Sequence, residues 1–428
     1  MISIDSGFWI VVTGVLAAGS CALLGAFLVL RKMSLLGDAL SHAILPGIAI
    51  AFLISESRSI FPMFLGASIF GLLTTILVEA FHRKWRVQED ASIGIVFTAF
   101  FALGVVIVTA FAGQVDLDQE CVLYGEIAYV PWDILYVNGV PLGPRPVWVL
   151  GIVSILNLIF VALFYKELKI SSFDPSLAMT LGINATIIHY LLMAAVSFTT
   201  VASFESVGAI LVVAMMIVPG ATAYLWSDRL NIVIILSVVF GVISAPLGYW
   251  LATLLDSSIA GAMVVVTGSC FTISLIIAPN QGIVARIWQR FMLSVRVAQD
   301  HILLALVRHH ERQDNDGVHR IELLKAASVN YVARWSLYRL TKSGLVECQG
   351  ETCNLAQDGR PEALRLLRNH RLWESYLSEL GLPEDHVHGP ADTVEHFIDS
   401  SLATEIDANI QGKTDPQGKE IPRPGVDD

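Results

Sequence analysis

The stretch MSLLGDALSHAILPGIAIAFLI, residues 33–54, decides how the rest of the chain is read. It is apolar over the roughly 20 residues that a bilayer crossing needs, yet it holds Asp38 and His42. Ionisable side chains inside a span are costly in lipid, so they face a bundle interior or an aqueous path and mark the route of a substrate or proton. At i and i+4 on a helix the two lie on one face. They offer a carboxylate oxygen and an imidazole nitrogen to one divalent cation. The competing reading makes them helix glue, satisfied by Ser41 and a neighbouring span.

Outward from this stretch the chain is 54% hydrophobic, with a mean hydropathy of +0.64. Apolar runs dominate up to Pro279 and charged residues become frequent beyond it, which implies a membrane domain followed by a soluble one. Residues 1–285 carry 10 Lys+Arg and 16 Asp+Glu, and the remainder carries 17 and 22. Both halves are acidic, so no whole-domain basic charge points to nucleic acid. Apolar runs place about nine spans at 8–30, 33–54, 60–81, 91–113, 147–165, 187–203, 206–226, 231–255 and 258–278. The first is too long and lacks the basic flank of a cleaved signal peptide. The Arg- and Lys-containing loops fall on one side by parity. That side is cytoplasmic by the positive-inside rule, which puts the N-terminus outside and the C-terminal domain inside. Cys348 and Cys353 are too loosely spaced and solitary to read as a zinc site.

The words around Asp38 and His42 carry a resemblance. Gly37, Asp38, Ala39, Ser41, His42, Ala43, Leu45, Pro46 and Gly47 fill, without a gap, the Gly-Asp-Ala-x-Ser-His-Ala-x-Leu-Pro-Gly signature of the membrane subunits of bacterial ABC transporters for zinc, manganese and iron. Residues 87–108 and 206–225 resemble that family's acidic entry to its fourth helix and its Pro-containing seventh. The resemblance implies a multi-pass permease of the bacterial inner membrane, with Asp38 and His42 on the transport path. It implies as partners a second permease subunit, an ATP-binding subunit and an extracytoplasmic metal-binding protein. Glu79 and His189 also fall in spans and read as satisfied structural polar residues.

In YKELKISSFDPSLAMTLGI, residues 165–183, Asp174 reads as an N-cap with Pro175 in the first turn. Gly182 then reads as the stop. Such a short helix could lie on the membrane; in the family it resembles the coupling helix that docks on the ATPase. The chain contains no G-x4-G-K-[ST] phosphate loop, so it binds no nucleotide by that motif and ATP hydrolysis belongs to another polypeptide.

Beyond the spans, residues 286–345 hold 10 basic and 5 acidic side chains, whereas 346–428 hold 7 and 17. The first segment patterns as helices at 300–312, 318–327 and 328–344, the last with Ser328 as its cap. Residues 345–356 alternate around a Gly-Glu turn like a hairpin wing. Together they make a winged helix-turn-helix, whose third helix would carry Arg334, Arg339 and Lys342 to DNA phosphates. A solvated face explains those three cations almost as well.

Then comes NHRLWESYLSELGLPEDHVHGPADTVEHFI, residues 369–398. His370 and Glu374 share one helix face, and Asp392, Glu395 and His396 share another. The pattern at His370 to Glu374, Val387-His388 and Glu395-His396 resembles the metal-responsive repressors of the diphtheria-toxin-repressor family, as does TDPQGKEIPRP at 414–424. The resemblance implies Asp300, His370, Glu374, His388, Asp392, Glu395 and His396 as ligands. Leu303 departs from a second acidic ligand of the manganese-sensing branch. Asp392 stands where iron sensors often carry Cys, which shifts preference from a soft thiolate toward manganese.

The expected architecture is therefore an all-α polytopic membrane domain of about nine helices at 1–285, a soluble winged-helix domain at 286–358 and a small helical metal-binding and dimerisation domain at 359–428. The function read from it is import of manganese, iron or zinc by the permease, with a fused cytoplasmic metal-responsive unit. A membrane-tethered or released repressor is the rival, and a metal-gated brake that never meets DNA is a third reading.

Overall fold

The computed structural model describes residues 6–55, 60–111, 127–137, 140–312, 317–327, 330–383, 386–387, 389, 391, 394, 398, 400–410 and 414–422. The chain forms two compact units, Met1–Ala285 and Arg286–Asp428.

In the first unit, nine helices among the described residues are long and apolar enough to cross a membrane. They are α1 (Ser6–Leu30), the pair α2 (Leu35–Ala43) and α3 (Leu45–Ser55) acting as one span, α4 (Ile60–Trp85), α5 (Glu89–Phe111), α6 (Arg145–Leu163), and then, after two short helices, α9 (Ala185–Val207), α10 (Ala209–Trp226), α11 (Leu230–Leu255) and α12 (Ile259–Ile277). The short helices are α7 (Tyr165–Phe173) and α8 (Pro175–Thr180). α1 is apolar all round and packs among α6, α9, α10 and α11, burying Cys21, Leu24, Phe27 and Leu28 completely. Where lipid tails are as apolar as Leu, such helices are held by close approach and interhelical hydrogen bonds rather than by a hydrophobic drive. Asn157 Nδ2 donates to Thr199 Oγ1 at 2.7 Å, and Ser237 Oγ donates to the Ala22 carbonyl at 2.9 Å. A Cβ on Gly47 would come within 2.2 Å of the Gly66 carbonyl oxygen, so α3 and α4 cross where neither has a side chain.

The structure differs from the sequence reading in two places here. The second span is not one helix: it turns at Ile44 and restarts at Leu45, because Pro46 has no N–H for the His42 carbonyl and its ring crowds that turn. The sixth and seventh spans are separate helices, as read from the sequence, and only Gly208 divides them, its φ of 82° lying in the left-handed region that a β-carbon disfavours. Between α5 and α6, where no element was expected, a short 3-10 turn at Ile127–Trp132 leads into an antiparallel hairpin of β1 (Ile134–Val137) and β2 (Val140–Pro144).

α13 (Ile283–Glu311), all but its first three residues in the second unit, is a 29-residue helix that starts well before the expected residue 300. It is followed by β3 (Val318–His319), α14 (Arg320–Ala326), α15 (Asn330–Lys342), β4 (Val346–Gln349) and β5 (Thr352–Leu355). The sheet order is β3-β5-β4, all antiparallel, so β4 and β5 form the expected wing. Cys348 and Cys353 lie opposite each other across that wing and are joined by a disulfide. Ser328, the expected cap of α15, lies outside the described residues. α16 (Arg360–Glu379) packs Ala363, Leu366 and Leu367 into the same core as Ile302 and Leu306 of α13. Leu372 turns instead to a smaller core with Ile398, Ile406 of α17 (Ser400–Asn409) and Ile421.

Candidate functional site

α2 sorts its residues cleanly. Leu36, Gly37, Ala39, Leu40, Ser41 and Ala43 are buried, while Asp38 and His42 point the other way. His42 Nε2 lies 3.8 Å from Asp38 Oδ1, and their side chains are 31% and 49% exposed. The Ser41 hydroxyl donates back to the Gly37 carbonyl at 3.0 Å, so the glue role given it in the competing reading is taken up within its own helix. The His42 ring stands edge-on to Phe101 of α5, with ring centres 5.6 Å apart, and is tilted against Phe97 at 6.2 Å. The pair thus sits immediately before the break at Ile44, walled on one side by aromatic rings. A carboxylate and an imidazole at this separation can close on one cation, but two ligands do not fill a divalent coordination sphere.

The capped short helix read at 174–182 is present. Asp174 is the N-cap of α8 and its Oδ1 accepts from Ser176 N at 3.0 Å and Leu177 N at 2.9 Å. The Ser176 hydroxyl, foremost, and these backbone N–H groups hold the Asp174 carboxyl below its ordinary range. Gly182 ends the segment with φ of 80°, and Ile183 N reaches back to the Ala178 carbonyl at 2.9 Å. That is the helix stop that glycine makes without strain. Leu177, Met179 and Leu181 are left exposed on this short helix and its last turn.

In the second unit, His370 Nε2 lies 3.2 Å from Glu374 Oε1 on α16, with side chains only 4% and 2% exposed. Asp300 is 8% exposed on α13, the helix that shares a core with α16. The Arg365 guanidinium is raised above its usual value, foremost by the Glu362 carboxylate bonded to it, and the Asp300 charge adds a smaller part. A buried carboxylate and imidazole side by side are a mixed oxygen and nitrogen donor pair of the kind that suits a borderline divalent transition metal, so the described part of the set fits such an ion. His388, Asp392, Glu395 and His396 lie outside the described residues, and among the described residues no three such groups converge as a metal site. Arg334, Arg339 and Lys342 are exposed on α15, together with Tyr331, Trp335 and Tyr338.

Two contacts escaped the sequence reading. Glu79 and His189, expected to be satisfied separately, meet each other at 3.2 Å, and Arg371 is buried in α16 between Glu311 and the 414–420 turn. For Glu79 and His189 the available signal was polar character within apolar helices; α16 is rich in charged residues, so nothing marked Arg371, and in both cases the partners lie too far away in sequence to be inferred.

Residues 4–278 match the ABC 3 transport family, and residues 356–423 match the iron dependent repressor, metal binding and dimerisation domain. The manganese transport system membrane protein MntD of Bacillus subtilis is 50% identical over 278 residues, 65% of this chain and 94% of that protein. The zinc transport system membrane protein TroD of Treponema pallidum is 38% identical over 354 residues, 82% of this chain and 96% of that protein. Among solved structures, PsaBC from Streptococcus pneumoniae in complex with Fab superposes with a TM-score of 0.55 at 32% identity, covering 65% of this chain and 94% of that one.

Proposed function

The chain belongs to the ABC 3 transport family, and from that membership we propose that it is the membrane subunit of an importer for a divalent metal ion, manganese first, with iron or zinc as the other cargoes its ligands accept. The observation that carries this is the Asp38–His42 pair, half-exposed in the single chain and set at the break of its span. A carboxylate left open inside a span needs an aqueous path or a partner. A second permease subunit facing it, with the same two groups, would bring the ligand count to four and enclose the path. An extracytoplasmic metal-binding protein delivers the ion at one end, and an ATP-binding subunit docks at the other on α8, through the segment held by Asp174, Pro175 and Gly182. The loop charges support an outside N-terminus and a cytoplasmic second unit.

That second unit, divided into 286–358 and 359–428, is read as a metal-responsive regulator. Asp300, His370, Glu374, His388, Asp392, Glu395 and His396 would hold manganese or iron(II), or zinc, whose charge offsets the mutual repulsion of the carboxylates and stabilises the fold. DNA contact through Arg334, Arg339 and Lys342 is the second reading, favoured by their exposure on the helix beside the wing. The deciding experiment is uptake of manganese, iron and zinc, measured side by side, by the reconstituted complex. Asp38→Asn and His42→Ala should each abolish uptake while membrane insertion persists. Wild-type uptake at matched expression would remove the pair from the path.

A further inference from the structure

α1 ends at Leu30, and the chain then folds back through Lys32, a non-glycine residue with φ of 61°, to start α2 at Leu35. Arg31 stands in this turn and its guanidinium reaches into the fold. Nε donates to Ser172 Oγ at 3.0 Å and Nη2 to Ser171 Oγ at 2.8 Å, both at the end of α7. Nη1 lies 3.3 Å from His189 Nδ1 on α9. A guanidinium only donates, so Nδ1 is the acceptor and the ring proton of neutral His189 is on Nε2. That nitrogen lies 3.2 Å from Glu79 Oε2 on α4, off the line of a hydrogen bond. Glu79 and His189 are 6% and 7% exposed. This one side chain therefore ties the α1–α2 turn to α7 and α9.

Position in the chain gives this junction its meaning. Ser171 and Ser172 are followed directly by Phe173 and by Asp174, the cap of α8, whose own N–H bonds to the Ile170 carbonyl at 2.9 Å. α8 thus follows the end of α7 through a single bonded residue. On the other side, Arg31 sits in the turn that aims α2, and α2 carries Asp38 and His42. Three donors fixed in one planar fork can grip two hydroxyls and an imidazole together, which a lysine ammonium on a flexible stem cannot.

We propose that Arg31 is a positioning residue of the transport cycle: it ties the α7–α8 segment to the α1–α2 turn, so that a displacement of α8 is passed to the Asp38–His42 pair. This rests on α8 being the docking helix. The test uses the full chain reconstituted with its ATP-binding subunit, with manganese as the probe, and reads metal transported per ATP hydrolysed. Ser171→Ala/Ser172→Ala and Arg31→Lys should keep assembly and ATP hydrolysis but lower that ratio by roughly 5-fold or more, the lower end of usual coupling between sites. Loss of packing alone would lower assembly and hydrolysis together and leave the ratio in place. An unchanged ratio in the serine pair, while deletion of 174–179 lowers it, overturns the proposal and leaves docking intact. An unchanged ratio in both overturns docking as well. Should Arg31→Lys fail to assemble, the serine pair decides, since it keeps the His189 contact.

Discussion

Glu374→Gln separates the metal-responsive reading from ordinary stability. The Glu374 carboxyl is 2% exposed and in contact with an imidazole that is 4% exposed. The amide has the same size, so no cavity opens, and the histidine beside it can be neutral, so no buried charge is orphaned. The metal-free protein should therefore keep its stability within about 1 kcal/mol, as for most changes that leave neither a void nor an unpaired charge. With metal the two proteins diverge. Binding only to the folded form adds RT ln(1 + [L]/Kd), about 2.7 kcal/mol at a hundredfold excess. In hydrogen exchange of the full-length protein, the buried amides of α16 should slow by about a hundredfold when manganese is added at that excess. Glu374→Gln, having lost one charge of the donor set, should show little of that slowing. Equal slowing in the variant, or none in the parent with manganese, iron or zinc, would refute the assignment of α16 as a metal-binding element.

Other outcomes follow from single contacts. Gly182→Val should cost about 1–2 kcal/mol locally, because its φ of 80° disfavours a β-carbon even though open space surrounds it; limited proteolysis at 174–183 should rise and transport per ATP should fall. Arg371→Ala should destabilise the second unit by about 3–5 kcal/mol, since this 5% exposed guanidinium bonds Glu311 at 2.6 Å, the Glu420 carbonyl at 2.7 Å and pairs with Asp415 at 3.4 Å; thermal melts at low and high salt would check it, and a small loss would mean water replaces the network. Because the Ser176 hydroxyl and the α8 N–H groups depress the Asp174 carboxyl, its cap is fully present above the ordinary carboxylate range and is lost only as pH falls through the lowered value. Docking should be flat from pH 8 to about 5, and a fall within that window would assign the dependence to another group.

The spans were legible because a lipid-facing helix must be apolar over a fixed length, and composition alone reports that. The hairpin at 134–144 was not: Pro141 and Gly143 interrupt its alternation, and its register shifts between Ile134 and Tyr136. α13 was read 17 residues short; its first half, with Arg286, Arg290 and Arg296 exposed, belongs to the same continuous amphipathic helix. The break at Ile44 had a visible cause in Pro46, but a proline inside an apolar run does not say whether the helix bends or restarts; the neighbours decide. Arg31 was read only as a topological charge. Its partners lie 140 or more positions away, and nothing local distinguishes a cation that faces headgroups from one that turns inward.

The placement of Asp38 and His42 on one helix face was legible in the sequence, whereas what completes the proposed path was not, and the reason is physical. Periodicity places Asp38 and His42 on one face, and burial of Leu36, Leu40 and Ala43 on the opposite face fixes which way that face looks. It looks out of the single chain, where a half-exposed carboxylate in hydrocarbon would be untenable. A structural polar pair has no reason to sit there, since Glu79 and His189 show that this bundle can bury such a pair to 7% and 8% exposure of its side chains. The contrast between the two pairs, one enclosed with Arg31 on its histidine, the other open beside a helix break, is what supports our proposal of a structural role for the first and a transport role for the second. In the assembled transporter, Asp38 should therefore lose most of its exposure to a second subunit. A cysteine at 38 should react with a thiol reagent in the dispersed chain and be protected in the complex, and equal reactivity in both would place the pair on the lipid side and end the path assignment.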